Sequence, residues 1–292
     1  MLYFCIALYP EAGPVITRFQ MKSAGGRIGS VYASDDAVLV LTGIGPVAAA
    51  GALSEALTLF PPAETDMLIN IGICGAPAGF CEAGTWLRIH KITDAATGRD
   101  FYPEILFPSV FREASLATVS TPMKASQEAA SATSGASVTT SASAASAVLS
   151  DMEASALYQT GQAFFSPERM LFYKGVSDFG VSEGTHLNPS DVTALIEKAL
   201  PDILSEAEGI LSVLPSDPVL SEAAETAVTK LCKLLSASVT MEHEIRLLAA
   251  YRTFRCGDAA EFFMAFAAGI EGPVVRREGK RLLEQLRKDC LA

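Results

Sequence analysis

Little in this chain points to a metal, a disulfide scaffold or a membrane. Six cysteines (Cys5, Cys74, Cys81, Cys232, Cys256 and Cys290) are spread over 292 residues without a CxxC pair. That sparseness argues against a disulfide framework and fits a reduced, cytoplasmic setting. His90, His186 and His243 stand far apart, with neither HxxxH nor HExxH, so spacing provides no zinc site. Cations are scarce as well: 22 Lys and Arg face 33 Asp and Glu, a formal charge of −11. Phosphate contacts need clustered Lys and Arg, so the balance argues against nucleic acid and anionic membranes as partners. The apolar runs at 2–8 and 262–270 are too short to span a bilayer, and no basic segment precedes the first.

What the chain does have is apolar bulk. Half its residues are hydrophobic and mean hydropathy is +0.31, enough for a sizeable core. The length fits one large domain or a domain with an appendage. Residues 2–8 are continuously apolar until Tyr9-Pro10-Glu11-Ala12-Gly13, which predicts a buried strand and then a loop. Residues 27–33 alternate and predict a strand, with a turn at Asp35-Asp36. Residues 37–41 predict a buried strand ending in Thr42-Gly43-Ile44-Gly45-Pro46, and 47–60 a helix with Pro46 in its first turn. Residues 67–71 predict a strand ending in the turn Gly72-Ile73-Cys74-Gly75-Ala76, and 84–92 another strand.

Residues 114–157 are dominated by Ala, Ser and Thr, the composition of a linker. Within them 137–141 is β-prone, and residues 149–153 open an Ala-rich helix towards Gln162. Residues 170–176 predict a strand ending in Ser177-Asp178-Phe179-Gly180. Residues 189–214 predict an amphipathic helix with Asn188 or Ser190 as its N-cap. Pro215 and Pro218 punctuate the chain, and four helices are expected beyond them, near 221–237, 241–251, 258–268 and 273–290. The expected organisation is an α/β domain over 1–214 and a helical region over 215–292. Ligands of open α/β sheets bind beyond the carboxyl ends of strands, where the glycine-rich turns lie. Neither turn matches GxGxxG or GxxxxGK[ST].

Five segments then fall at element boundaries in a telling order. They are Ala7-Leu8-Tyr9-Pro10-Glu11; Leu41-Thr42-Gly43-Ile44-Gly45; Ile69-Asn70-Ile71-Gly72-Ile73-Cys74-Gly75-Ala76; Asp151-Met152-Glu153-Ala154-Ser155-Ala156; and Lys174-Gly175-Val176-Ser177-Asp178. Together they resemble the nucleoside phosphorylase/nucleosidase superfamily, in particular nucleosidases that cleave methylthioadenosine, adenosylhomocysteine or futalosine. The resemblance covers residues 1–213 and leaves the C-terminal quarter outside. It implies a mixed, largely parallel central sheet flanked by helices, here with an all-helical extension, and a homodimer. It implies no metal and no organic cofactor.

The resemblance also implies roles. Breaking a purine N-glycosidic bond passes through an oxocarbenium-like ribosyl centre, and the leaving base must gain a proton. Asp178 matches the proton donor, and capping a following helix is its alternative reading. Glu11 matches the carboxylate that activates water, against a solvated loop acid. Glu153 matches the acceptor of the ribose hydroxyls, with Met152 on the sugar face, against a first-turn glutamate favoured by the helix dipole and a core methionine. Gly43, Gly45 and Gly75 allow close approach of backbone to ligand, and Ser177 lies beside the acid. Cys74 has no histidine nearby in sequence and reads as a small buried residue. Phe101 or Tyr102 either stacks on a base or belongs to the core.

The pattern departs from the superfamily at three positions, the first two being the phosphate-binding positions of its phosphorylases. Asn70 stands at the family's phosphate-binding arginine and Ile73 at its serine. Lys174 replaces the arginine common in nucleosidases. An oxyanion needs charge-assisted donors, so hydrolysis is expected rather than phosphorolysis. Purine nucleoside hydrolysis is therefore the expected function. A phosphorylase and a non-catalytic nucleoside-binding or scaffold protein are the alternatives. The helix at 274–290 carries Arg276, Arg277, Lys280, Arg281, Arg287 and Lys288 among Glu278 and Glu284. It reads as a solvated amphipathic helix, with contact to an acidic or other protein partner as its second reading.

Overall fold

Apolar side chains on both faces of the central strands require helices on both sides of the sheet. The computed structural model describes residues 1–77, 79–103, 107–121, 149–178, 188–215 and 219–291, with Asp178 described by its backbone alone. The β-prone stretch at 137–141, His186, Phe179 and Gly180 lie outside the described residues. The chain forms two compact units, Met1–Leu214 and Pro215–Ala292.

Among its described residues unit 1 holds ten strands: β1 Leu2–Ile6, β2 Lys22–Gly25, β3 Ser30–Ala33, β4 Ala37–Leu41, β5 Met67–Gly75, β6 Trp86–Asp94, β7 Asp100–Phe101, β8 Arg112–Thr118, β9 Leu149–Asp151 and β10 Met170–Asp178. Its helices are α1 Tyr9–Arg18, α2 Pro46–Leu59, α3 Ala154–Gly161 and α4 Pro189–Val213. Strands β4, β1, β5 and β10 run parallel side by side. Antiparallel β3 and β2 extend one edge. On the other side β5, β10, β6, β8 and β9 pair in a closed circuit.

Alternation along each strand decides which helices it meets. Tyr3, Cys5, Val38, Val40 and Leu68 face one way and pack with Ala49, Leu53 and Leu57 of α2 and Leu157 of α3. Phe4, Ile6, Leu39, Ile69 and Ile71 face the other way and pack with Val15 of α1 and Ile196, Ile203 and Ala207 of α4. Asn188 caps α4, its side chain accepting the Asp191 N–H.

Several expected boundaries shift. Residues 9–13 are not a loop but the first turns of α1. Pro10 sits in the first turn, where its missing N–H costs no helical bond. Residues 72–75 are not a turn. They continue β5, because Lys174, Gly175 and Val176 of β10 pair alongside them. Residues 149–151 are a short strand instead of a helix start, held by β8 and by Gly75. Residues 27–33 yield a strand only from Ser30, and the exposed β2 precedes it.

Unit 2 holds α5 Glu222–Leu234, α6 Val239–Cys256, α7 Ala260–Ala268 and α8 Arg276–Leu291. Ser221 and Ser238 cap α5 and α6 through their side-chain oxygens. Ala227, Leu231, Ile245, Ala249, Phe263 and Leu286 form its core. No helix among the described residues is long and apolar enough to cross a membrane.

Candidate active site

The parallel strands β1, β4, β5 and β10 end on one edge of the sheet, and the residues singled out from the sequence follow those ends. Glu11 lies in the first turn of α1, just after β1. Its Oε2 accepts the Leu8 N–H at 2.9 Å and its Oε1 accepts the Ile73 N–H at 3.0 Å. The carboxylate thus ties the start of α1 to the end of β5. Glu11 is 3% exposed, so it is not a solvated acid.

Glu153 lies between β9 and α3. Its Oε1 accepts the Gly45 N–H at 2.8 Å. Gly45 takes φ 96° and Gly43 φ 71°, conformations that admit glycine readily, and this loop is what turns the Gly45 N–H towards the carboxylate. Met152 is half-buried beside it.

Lys174 is the centre of the arrangement. It lies on β10 among apolar neighbours and its side chain is 2% exposed. Its Nζ pairs with Asp151 Oδ2 at 2.9 Å, and that carboxylate is equally buried. Asp151 also accepts the Thr118 hydroxyl at 2.8 Å and the Ala154 N–H at 2.9 Å. Thr118 in turn accepts the Ser155 N–H at 2.9 Å. Asp151 therefore pins the end of β9, the start of α3 and the end of β8 to one lysine. Gly72 stands beside Lys174 in register. A Cβ on Gly72 would lie 3.3 Å from Glu11 Oε1 and 3.5 Å from Lys174 Nζ. The absent side chain leaves room for carboxylate and ammonium together.

Three carboxylates around one ammonium leave a surplus of negative charge in a buried place. Burial pushes the Glu11 carboxyl above its usual range; the Ile73 N–H, Lys174 and the Leu8 N–H oppose the rise, and Glu153 adds to it. Burial likewise raises Glu153, against the pull of Lys174 and the Gly45 N–H. For Lys174, burial disfavours the charged form, but Asp151, Glu153 and Glu11 outweigh it and hold the ammonium above its ordinary value. Such a surplus favours a ligand that gains positive charge.

Ile73 is half-buried, with its N–H given to Glu11. Gly75 pairs with Asp178 on one side and Ser150 on the other. Ser177 is buried and its hydroxyl donates to the Cys74 carbonyl at 3.2 Å. The backbone of Asp178 closes β10. Cys74 is 3% exposed. Phe101 is core, packed on Tyr158, whereas Tyr102 is exposed. Asn70 is buried, its amide donating to the Cys5 carbonyl at 2.8 Å.

Sequence reasoning missed Thr118, and it held Asp151 and Gly72 only as members of motifs, without the Lys174 pairing of the one or the gap left by the other. A signal for Asp151 existed: a lysine inside the otherwise apolar stretch Met170–Val176 demands a buried acid. Two surface grooves, one lined by Glu222, Lys230 and Pro273 and one by Pro14, Glu197 and Pro201, contain none of the cluster. Among the described residues no group of three or more His, Cys, Asp or Glu is arranged to hold a metal ion.

No family model and no curated protein sequence matches the chain. Solved structures do. The chain is similar to 5′-methylthioadenosine nucleosidase of Arabidopsis thaliana in apo form, with TM-score 0.55 and 18% identity, over 73% of this chain and 98% of that one. It is similar to the 5′-methylthioadenosine/S-adenosylhomocysteine nucleosidase of Neisseria meningitidis in complex with methylthio-immucillin-A, with TM-score 0.54 and 16% identity, over 70% and 98%. The corresponding nucleosidase of Colwellia psychrerythraea, in complex with adenine, matches with TM-score 0.53 and 17% identity, over 72% and 94%. The likeness establishes a shared fold. Nearly all of each neighbour is matched, while over a quarter of this chain has no counterpart there.

Proposed function

We propose that unit 1 hydrolyses the N-glycosidic bond of a purine nucleoside of the methylthioadenosine, adenosylhomocysteine or futalosine kind. The observation that carries this reading is the buried meeting of Glu11 and Glu153 around Lys174 at the carboxyl ends of the parallel strands. The shared fold with methylthioadenosine nucleosidases supports it.

In this reading Asp178 gives a proton to N7 of the leaving base while the C1′–N9 bond breaks. Glu11 takes a proton from the water that attacks C1′, and the oxygen of that water becomes the new hydroxyl. Glu153 accepts hydrogen bonds from the ribose hydroxyls, and Met152 borders the sugar. Gly43, Gly45, Ile73, Gly75 and Ser177 line the approach. The surplus negative charge favours the oxocarbenium-like centre over the neutral substrate.

Water is favoured over phosphate as the nucleophile. Lys174 is committed to Asp151, the Asn70 amide to the Cys5 carbonyl, and residue 73 has no hydroxyl. A dianion placed there would meet carboxylates without a free cation among them. A homodimer in a reduced, cytoplasmic setting completes the reading, with unit 2 offering its helices to a protein partner.

The test is incubation with methylthioadenosine, adenosylhomocysteine, futalosine, adenosine and inosine, with and without phosphate, following the free base. Base release independent of phosphate is the expected result. Release that requires phosphate would make the protein a phosphorylase. Binding without turnover would make it a nucleoside-binding protein.

A further inference from the structure

Gly72 and Lys174 are residues of the cluster to which no chemical step has been given, and both stand against Glu11. Gly72 occurs in the middle of β5, at ordinary φ, where nothing in the backbone requires glycine. Its neighbours explain it: an added Cβ would stand at 3.3 Å from the Glu11 carboxylate and 3.5 Å from the Lys174 ammonium, tighter than side-chain packing ordinarily allows on the first of them. Lys174 is anchored from the other side by Asp151, which is itself fixed by Thr118 and Ala154. The lysine cannot swing away without leaving a buried carboxylate unpaired.

We propose that Lys174 and Gly72 are positioning residues for Glu11. Gly72 supplies the gap, and the Asp151-anchored ammonium set in that gap is the counter-charge that holds the Glu11 side chain in place as a carboxylate. The charged and titratable groups that bear on this ammonium are Glu11 from α1, Asp151 from β9, Glu153 ahead of α3 and Cys5 from β1. Of these Asp151 is in direct contact, Glu153 is shared with Gly45, and Glu11 is the one that faces the ammonium across the missing side chain. Inserting one methyl group at residue 72 therefore disturbs the Glu11–Lys174 approach while leaving every charge of the site present.

The role assigned to Glu11 rests on the nucleosidase reading, but the coupling is measurable without turnover. Protein labelled with 13C at the glutamate carboxyls is titrated by NMR as the unaltered chain and as Gly72→Ala, Lys174→Met and Lys174→Arg, each checked for folding by thermal melt. The Glu11 midpoint is expected to move upward by about one pH unit or more in Gly72→Ala and Lys174→Met, and to stay near its native value in Lys174→Arg, which keeps the charge. In the unaltered protein the 15Nζ shift of Lys174 is expected to follow the Glu11 midpoint. A Lys174 resonance that ignores that midpoint overturns the proposal whatever the variants do. So does a Glu11 midpoint unmoved in folded Gly72→Ala. If the couplings hold and no nucleoside is cleaved, the hydrolytic reading fails and the positioning of Glu11 stands.

Discussion

The two units differ most in what they bury. All twelve buried polar or charged side chains of the described residues, Glu11, Asp151, Glu153 and Lys174 among them, lie in residues 1–214. Unit 2 has no buried polar or charged residue among the described residues, its core cluster is apolar, and its ion pairs (Arg246 with Glu225, Arg281 with Glu278, Arg287 with Glu244) lie at its surface. Net charge divides the same way. Residues 215–292 carry eleven basic and eleven acidic side chains, so the whole formal charge of −11 belongs to residues 1–214. Buried charge is costly and an apolar core of similar volume is commonly as stable or more so. A unit that keeps four charges in one buried cluster has a use for them. A unit whose core cluster keeps none relies on apolar packing there, with its ion pairs left at the surface.

The contrast breaks first at the chemistry. Asp178→Asn should lower kcat by about 10²–10⁴-fold with an unchanged melting temperature, read by base release and calorimetry. A variant with native turnover would remove Asp178 from the mechanism. Stability comes next. Lys174→Met leaves Asp151 buried without its cation and should cost about 3–5 kcal/mol in urea unfolding. A cost near zero would mean that the pair is not desolvated as the structure has it.

Unit 2 should respond to volume and not to charge. A Cβ on Gly279 of α8 would stand 2.1 Å from the Leu235 carbonyl oxygen, a backbone atom that cannot give way. Gly279→Ala should therefore destabilise unit 2 by about 1–3 kcal/mol and leave base release by unit 1 at the native rate. Loss of both together would show that the units act as one.

The smallest effect sharpens the comparison through pH. In the proposed hydrolysis Glu11 would serve as a base only when ionised, and burial raises it above its ordinary value of 4.5. Activity should fall as pH drops through a midpoint higher than that, read from kcat/KM profiles. Stability carries the opposite sign. The folded protein holds this proton more tightly than the unfolded chain, so the cost of burying Glu11 is full above its folded midpoint. That cost is relieved as pH falls from there towards 4.5.

Much of this was legible in the sequence where one signal dominated. Residues 37–41 are apolar throughout and form β4 with those bounds, and Pro46 marks the start of α2. Asn188 caps α4, as one of the two residues the sequence offered for that place. Signals failed where tertiary context overrides local chemistry. Pro10 reads as a breaker but serves in a helix's first turn, which moved Glu11 from a loop onto α1. Residues 72–75 carry two glycines and read as a turn, yet pairing with β10 draws them into β5. The strand β2 is wholly exposed and has no apolar alternation to announce it. At the site, Glu11, Glu153 and Lys174 were legible as residue types, but not their convergence. Asp151 was read only as part of a motif because its partner lies across the sheet on β10.

The measurement that bears most directly on the buried cluster is base release by Glu11→Gln beside the unaltered protein, on methylthioadenosine without phosphate. The substitution keeps the shape and one of the two acceptor oxygens, by which Glu11 holds the Leu8 and Ile73 N–H groups, while removing the charge. The expected result is rapid release by the unaltered protein and a loss of about 10²–10⁴-fold in a variant whose melt shows it folded at the assay temperature. Equal rates in the two proteins, or release that appears only with phosphate, would contradict a hydrolytic site built around Glu11.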